Sequence, residues 1–330
     1  MQRLLILGLG LIGKQRLTAA LEFGLAAEDI GAFDPRGASE LVSTYPGLSQ
    51  FDTLETALAN NPERIVISTP HNVAMEILSK ADLRNSSILL EKPLGRNIEE
   101  ANTIATLAKS KNLDISLGFN YRHMPGVVEL RNILDSNVLG KLHNIKIDFG
   151  HGGAPGDEKS WKLDPIAAGG GVLLDPGVHI FDLLLHLLGA KSKDFELIGI
   201  NSWSGFWKTG VEESVDFIGN INQTQINVAI SIVAWRTRFR VEILGENGYA
   251  ILNGRGRSDG PQTLTIGKRW AWLDGSSQLD SERTVVHIDS DVSISTETKA
   301  WLGGGQGVAS VNESLEVMKF YDQLRSHLHE

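Results

Sequence analysis

Three glycines near the start of the chain have the type and spacing needed to bind a phosphate group. Gly8, Gly10 and Gly13 follow an apolar run and open a helical pattern as G-x-G-x-x-G. In such a strand–turn–helix unit, the first glycine permits a tight turn, the second admits a pyrophosphate, and the third lets helix and strand pack closely. The N–H groups of the helix N-terminus then favour the bound anion. The residues predicted to form this dinucleotide site are Gly8, Gly10, Leu11, Ile12 and Gly13.

An acidic residue follows at the end of the second apolar run. Asp34 stands 26 positions after Gly8. A carboxylate there can accept both hydroxyls of an adenosine ribose and would repel a 2′-phosphate, which favours NAD. Arg36 follows closely and could instead hold the 2′-phosphate of NADP. Asp34-Pro35 is also ordinary turn chemistry. We expect NAD, with NADP as the alternative.

The elements that position these groups alternate over residues 1–119. Short aliphatic runs alternate with amphipathic helical patterns, which is typical of βαβ units and predicts an α/β Rossmann domain with a doubly wound parallel sheet. The predicted strands are Leu4–Leu7, Asp29–Phe33, Arg64–Ser68, Ser87–Leu90 and Asp114–Leu117. The predicted helices are Lys14–Phe23, Leu54–Ala59, Asn72–Lys80 and Ile98–Ala108.

Residues 120–330 have a different pattern and form the predicted second domain, for substrate binding and oligomerisation. Longer alternating runs predict an α/β domain with a large, mostly antiparallel open sheet. The predicted strands are Leu142–Phe149, Phe195–Trp203, Ser214–Ile221, Gln225–Ala234, Phe239–Leu244 and Tyr249–Leu252. The predicted helices are Val127–Leu134, Val178–Leu188 and Val311–Leu328, of which the last can pack back on the first domain.

Three further motifs complete a recognisable set. Ser68-Thr69-Pro70 and Glu91-Lys92-Pro93 follow predicted strands, and a glycine-rich motif runs from Gly169 to Asp182. With the first glycine motif, they make residues 3 to about 190 resemble the Gfo/Idh/MocA family of glucose–fructose oxidoreductases and inositol dehydrogenases. The resemblance implies NAD(P)-dependent hydride transfer between nicotinamide and a secondary hydroxyl or ketone of a sugar, polyol, cyclitol or sugar derivative.

The resemblance also implies roles for individual residues. Lys92 would contact both cofactor and substrate, while Asp175 and His179 would face the nicotinamide from the second domain. Arg122 would help to frame the site. The other residues implied to bind the cofactor are Ser68, Thr69, Pro70 and Glu91. Trp161 and Lys162 lie in a loop that would border the substrate.

Hydride transfer also requires groups that can move a proton, and two of these residues could do so. A carbinol carbon loses hydride only as its hydroxyl proton is removed, so a general base must lie within hydrogen-bond reach. His179 suits this because its ordinary pKa lies near physiological pH. Lys92 could stabilise a developing alkoxide or, if desolvated, accept the proton itself. Asp175 could bind a neighbouring hydroxyl, and its spacing of four from His179 predicts one shared helix face.

Each of these residues also has a structural alternative. Asp175 before Pro176 could be a helix N-cap, and Lys92 before Pro93 could be a solvated turn charge. His179 could be a structural histidine. With Asp182 and His186, it has the helical spacing of a metal site. Asp182 can instead support His179, and His186 lies among leucines, so we expect no metal.

Composition limits the partners. The net charge is -9 and the chain has no cysteine. This charge gives no electrostatic reason to bind nucleic acid or an anionic membrane, and the lack of cysteine excludes disulfides. No stretch approaches the roughly 18 apolar residues of a membrane span. We therefore expect a cytoplasmic protein that binds a small carbohydrate-like molecule. Its half-exposed second sheet predicts a homodimer or homotetramer.

Two other functions are compatible with these motifs. The same site could use NAD transiently, oxidising one carbon so that a neighbouring glycosidic bond eliminates, which would make the protein a glycosidase with no net redox change. Alternatively, the chain could be a regulatory protein that binds nucleotide without turnover. Lys92 and His179 argue against that role, because such a protein does not need paired proton-transfer groups.

Overall fold

The computed structural model describes most of the chain and divides it into two compact units. The described residues are 3–37, 39–80, 83, 85–153, 163–165, 168–256, 259–268, 282–287 and 290–328. The first unit comprises Met1–Asn120 and Val292–Met318, and the second comprises Tyr121–Asp291 and Lys319–Glu330. The domain boundary predicted after residue 119 stays a prediction. Trp161 and Lys162 lie outside the described residues.

The described strands and helices are numbered along the chain. The strands are β1 (Leu4–Leu7), β2 (Ile30–Phe33), β3 (Ser49–Gln50), β4 (Arg64–Ile67), β5 (Ser87–Glu91), β6 (Asp114–Gly118), β7 (Leu142–Gly150), β8 (Phe195–Trp203), β9 (Ser214–Ile221), β10 (Thr224–Ser231), β11 (Arg238–Gly245), β12 (Gly248–Asn253), β13 (Thr263–Lys268), β14 (Glu282–Val286) and β15 (Ala309–Ser310). The helices are α1 (Leu11–Phe23), α2 (Ser39–Thr44), α3 (Leu54–Leu58), α4 (His71–Lys80), α5 (Ile98–Lys111), α6 (Pro125–Asp135), α7 (Gly177–Leu188), α8 (Ser293–Leu302) and α9 (Val311–Ser326).

The first unit contains a doubly wound sheet in the order β15-β6-β5-β4-β1-β2-β3. Neighbouring strands are parallel, except that β15 runs antiparallel to β6. All four residues of β1 are buried, as expected for a central parallel strand that is covered on both faces. Helices α1 and α8 contribute Leu17, Ala20 and Trp301 to the core on one face. The predicted Rossmann architecture is confirmed.

The second unit contains a sheet in the order β14-β13-β12-β11-β7-β10-β9-β8. Only the β7–β10 pair among its described strands is parallel. Buried and exposed residues alternate along β9 and β11, so one face of the sheet is buried and the other is open. Helix α7 is buried along nearly its whole length. The predicted mostly antiparallel open sheet is confirmed.

The end of one strand differs from the sequence prediction for a physical reason. The strand predicted over Gln225–Ala234 ends at Ser231, because the next N–H groups bond elsewhere: Ile232 donates to the Glu213 carbonyl and Ala234 to that of His151.

Among the described residues, no helix is both long and apolar enough to cross a bilayer.

Candidate active site

The glycine loop between β1 and α1 has the geometry of a phosphate cradle. Gly8 has a φ of +91°, and a Cβ there would lie 2.6 Å from the Ser68 carbonyl oxygen. A Cβ at Gly13 would overlap the Gly8 carbonyl oxygen, whereas one at Gly10 would meet nothing within 4 Å. The first and third glycines are therefore required by packing. The second leaves open space beside the helix N-terminus.

The residues around this cradle leave polar groups available for a ligand. Helix α1 begins after Gly10 without a side-chain cap, so its first N–H groups can bind an anion. Leu11 at its start is 69% exposed. The Ser68 hydroxyl donates to the Gly8 carbonyl at 2.8 Å and braces the loop. The Thr69 hydroxyl is buried and makes no hydrogen bond within the part of the chain that the structure describes. These features fit the pyrophosphate of a dinucleotide.

Asp34 lies beside the same loop and carries a charge. Its Oδ2 accepts the Leu9 N–H at 2.7 Å, and the Arg36 guanidinium binds both carboxylate oxygens at 3.0 Å. Burial alone would raise the pKa of Asp34. Hydrogen bonds from Arg36 and the Leu9 N–H outweigh burial and lower this pKa to about 2. Arg36 is largely exposed, so Asp34 can exchange it for ribose hydroxyls at little cost.

The Glu91-Lys92-Pro93 motif stands at the carboxyl end of β5, with a cis peptide between Lys92 and Pro93. Glu91 faces Arg16 of α1, whose Nε and Nη2 donate to Glu91 Oε1 at 2.9 and 2.7 Å. Lys92 is half-buried. The carboxyl edge of a parallel α/β sheet is where such domains bind ligands.

The turn before α7 holds Asp175 outside the helix. Asp175 and Leu174 both donate their N–H groups to the Gly171 carbonyl at 3.0 Å, and α7 begins only at Gly177, after a cis Asp175–Pro176 peptide. The prediction that Asp175 and His179 share a helix face is therefore wrong. The N-cap alternative for Asp175 is wrong as well, because Pro176 occupies that position.

His179 lies in the first turn of α7 and is buried against an aromatic ring. The Tyr121 ring stacks on its imidazole, with centroids 4.3 Å apart and planes 10° apart. The Tyr121 hydroxyl accepts a hydrogen bond from Arg255 Nη1 at 2.7 Å, and burial raises the pKa of Tyr121 to about 12. Arg255 also pairs with Asp259 and lies over the Phe149 ring. The imidazole is thus held by a stacked phenol that is itself anchored.

Arg122 and Asp182 form a buried ion pair. Arg122 Nη2 donates to Asp182 Oδ1 at 2.6 Å and Nε to Oδ2 at 2.9 Å, and both side chains are nearly inaccessible. Asp182 follows His179 by about one turn of α7. Arg122, which resemblance assigned to the substrate, thus has a carboxylate partner. The guanidinium of Arg122 therefore neutralises the Asp182 carboxylate. No cluster of metal-binding side chains occurs among the described residues.

Glu212, which was not predicted from the sequence, holds the glycine-rich turn that precedes Asp175. Its Oε1 accepts the N–H groups of Gly171 and Leu173 at 3.1 and 3.2 Å, and its carbonyl accepts that of Val172 at 2.9 Å. A Cβ at Gly171 would overlap the Glu212 carbonyl oxygen. No signal in the local sequence marks Glu212, because its partners lie about forty residues earlier.

The structure brings the predicted residues together in two groups. Lys92, Asp34 and the glycine loop belong to the first unit, while Arg122, Asp175 and His179 belong to the second. Arg16, Tyr121, Glu212 and Arg255 were not predicted as site residues.

The first unit, with its parallel sheet and glycine cradle, defines a Rossmann-type dinucleotide-binding protein. Residues 2–119 match the model of an oxidoreductase family with an NAD-binding Rossmann fold, and residues 127–251 match the GFO/IDH/MocA C-terminal domain. The chain belongs to the Gfo/Idh/MocA family.

Curated relatives resemble parts of the chain. The rhizopine catabolism protein MocA of Rhizobium meliloti is 30% identical over 59% of this chain and 60% of its own length. Glucose-6-phosphate 3-dehydrogenase of Bacillus subtilis is 29% identical over 57% of this chain and 54% of its own length. The chain thus spans less than two thirds of these two relatives. The scyllo-inositol 2-dehydrogenase (NAD+) of Bacillus subtilis is 24% identical over 74% of this chain and 72% of its own length.

Solved structures share the fold over nearly the whole chain. A levoglucosan dehydrogenase in complex with NADH and levoglucosan has a TM-score of 0.82 at 19% identity, covering 98% of this chain and 96% of that one. A 3-ketoreductase of Actinomadura kijaniata in complex with NADP has a TM-score of 0.77 at 17% identity, covering 98% and 97%.

Proposed function

We propose that the protein is an NAD(P)-dependent oxidoreductase acting on a secondary hydroxyl or ketone of a sugar, polyol, cyclitol or sugar derivative. The observation that carries this proposal is the open cradle at Gly10, which lies at an uncapped helix N-terminus beside an ionised Asp34. Relatives with dehydrogenase names support the same reaction class.

The first unit would bind the cofactor through groups already in place. The α1 N-terminus and Gly10 would take the pyrophosphate, and Asp34 would accept the adenosine ribose hydroxyls in place of Arg36. Ser68, Thr69, Pro70 and Glu91 stay predicted cofactor residues. A bound nicotinamide supplies the hydride acceptor or donor. We propose NAD as the main cofactor and NADP as the alternative, since Arg36 can turn toward a 2′-phosphate.

The proton would be handled by His179 or Lys92. His179 is held by Tyr121 in one ring orientation, which suits an imidazole that must accept a hydroxyl proton. Lys92 would contact substrate and stabilise the developing alkoxide. Asp175, held beside the glycine-rich turn, would bind a neighbouring hydroxyl. Arg122 would help to frame the substrate site while it stays paired with Asp182. Trp161 and Lys162 stay predicted substrate residues.

A substrate panel tests the proposal. The purified protein is incubated with polyols, aldoses, sugar acids and sugar nucleotides, and NADH and NADPH formation is recorded. Formation of either with one substrate class supports the proposal. Cofactor binding without turnover of any compound in the panel would contradict the proposal. Release of a sugar from glycosides with no net NADH formation would then indicate the glycosidase. No reaction with the glycosides either would indicate the regulatory protein.

We also propose that the protein is a homo-oligomer whose interface is the open face of the second sheet. Ile198 and Ile218 lie on this face and are 62% and 44% exposed. Charged residues such as Asp148 and Arg238 lie on the same face, and subunit interfaces typically combine an apolar centre with a polar rim. The absence of nucleic-acid and membrane partners and the cytoplasmic location stay predictions.

A further inference from the structure

A fully buried guanidinium lies behind the strand end that carries Lys92. Arg16 of α1 is 1% exposed. Two of its nitrogens donate to Glu91, and Nη2 also donates to Glu297 Oε2 of α8 at 2.6 Å. Nη1 donates to the Thr298 hydroxyl at 2.9 Å and, more weakly, to the Ile294 carbonyl at 3.3 Å. All three nitrogens of the guanidinium are therefore engaged, and its plane has one orientation.

Arg16 stays charged within this buried cluster. Burial alone would lower the pKa of Arg16, but the carboxylates of Glu91 and Glu297 and their hydrogen bonds raise it well above its ordinary value. A planar guanidinium that bridges two carboxylates fixes direction as well as distance, which an apolar contact does not.

The neighbouring strand leaves room for the cluster. Gly118 ends β6 and pairs with Glu91 across the sheet. A Cβ at Gly118 would lie 2.8 Å from Glu91 Oε2 and 2.9 Å from Arg16 Nη2. The strand therefore carries the one residue type that admits this ion pair without displacing it.

The cluster joins the two parts of the first unit that the proposed reaction needs. Arg16 lies in the second turn of α1, whose first turn is the proposed pyrophosphate site, and Glu91 directly precedes Lys92. We propose that Arg16 is a positioning residue: through Glu91 it fixes Lys92 relative to the cofactor, while Glu297 and Thr298 hold the guanidinium from the other side. This inference rests on the proposed function, because that function places Lys92 beside the nicotinamide.

The test measures Lys92 directly, without requiring turnover. The intact protein is acetylated with an N-hydroxysuccinimide ester, with and without saturating NADH, and modification of Lys92 is followed by peptide mass spectrometry. In the wild type, saturating NADH at about ten times its Kd should slow this acetylation by about tenfold, since Lys92 would react only in the cofactor-free fraction of the protein. In Arg16→Met, protection at saturating NADH should fall below about threefold, and Arg16→Lys, which keeps one charged contact, should be intermediate.

The exposed pair Glu22–Lys299 supplies a matched control. It joins the same two helices, α1 and α8, with Lys299 Nζ 2.7 Å from Glu22 Oε2. Glu22→Gln should leave the NADH protection of Lys92 unchanged. Once a substrate is known, Arg16→Met should lower kcat by up to about 100-fold, as expected for a misplaced reacting group, with a smaller change in the Kd for NADH.

Each contrary result has a separate meaning. If NADH does not protect Lys92 in the wild type, the proposed place of Lys92 is wrong, and the positioning role fails with it. If the wild type is protected and Arg16→Met and Arg16→Lys are protected equally well, the positioning role alone is overturned. If Arg16→Met does not fold, Arg16→Lys and Glu297→Gln decide the same question, since both keep a polar side chain in the cluster.

Discussion

The environment of His179 restricts what its imidazole can do. Tyr121 covers one ring face, and the Tyr121 hydroxyl is held by Arg255. A ring stacked in this way loses little orientational freedom when substrate binds, and preorganisation of this kind favours proton transfer.

Replacement of His179 by Ala should lower kcat by about two to four orders of magnitude, because a positioned general base typically contributes that much. Cofactor binding, measured by NADH fluorescence titration, should stay nearly unchanged. Tyr121→Phe, which keeps the stacked ring and loses the bond to Arg255, should have a much smaller effect. Wild-type turnover in His179→Ala would remove this residue from the mechanism.

The carboxylate of Asp34 should set the cofactor preference. Replacement by Ala removes the ribose acceptor and the repulsion of a 2′-phosphate, and it also releases Arg36 to bind that phosphate. Calorimetric titration should show NADH binding weakened more than NADPH binding. Equal losses for the two cofactors would reject a role of Asp34 in selectivity.

Asp34 should also make stability depend on pH. Its pKa is about 2 in the folded protein and is ordinarily 3.8, so its contribution is fully present above about pH 4 and is lost as pH falls through 2. Because the exposed Arg36 is screened by solvent, we expect Asp34 to contribute about 1 kcal/mol to the free energy of unfolding. Urea unfolding at pH 6 and pH 2 should show a smaller pH-dependent loss in Asp34→Asn than in the wild type. The same loss in both proteins would contradict this assignment.

At the scale of elements, the turn before α7 depends on a close backbone contact. Gly171→Ala would place a Cβ against the Glu212 carbonyl oxygen and should lower the free energy of unfolding by about 1–3 kcal/mol, a typical cost of overpacking. Gly199→Ala is the control, because a Cβ at Gly199 on β8 would meet nothing within 4 Å. Urea unfolding of both variants gives the comparison. If Gly171→Ala is as stable as Gly199→Ala, the backbone of the turn can shift to accommodate a Cβ and the prediction is wrong.

Most elements could be predicted from periodicity, and several of those that were not predicted were missed for identifiable reasons. The predicted strands of the first unit end within one residue of β1, β2, β4, β5 and β6. Helix α8 was missed because its buried face includes Ser293, Glu297 and Thr298, so it lacks an apolar period. Strands β3 and β15 have two residues each, too few for a pattern.

The site was predictable where its motif is local and hidden where its partners are distant. The glycine cradle and Asp34 follow one strand–turn–helix pattern. Arg16, by contrast, meets Glu91 and Glu297 across 75 and 281 positions of sequence. A buried arginine in a helix has no local signature, since only the fold reveals which carboxylates neutralise it.

At the scale of the whole molecule, the open face of the second sheet should control assembly. Ile218→Asp would place a charge in the proposed interface and should shift an oligomer toward monomer, as measured by light scattering after size-exclusion chromatography. Val138→Asp, at a position that is 57% exposed but outside the sheet, is the control and should leave the mass unchanged. A monomeric wild type would refute the interface.

The return of Val292–Met318 to the first unit has a consequence for biosynthesis. Strand β15 completes one edge of the first sheet, and Glu297 supplies the second carboxylate for Arg16. On the ribosome, these residues emerge only after Tyr121–Asp291, the larger segment of the second unit, has been translated. A nascent chain that ends near residue 120 holds Arg16 and Glu91 but lacks Glu297 and the α8 packing. The dinucleotide-binding unit, although it starts the chain, should therefore be among the last parts to mature.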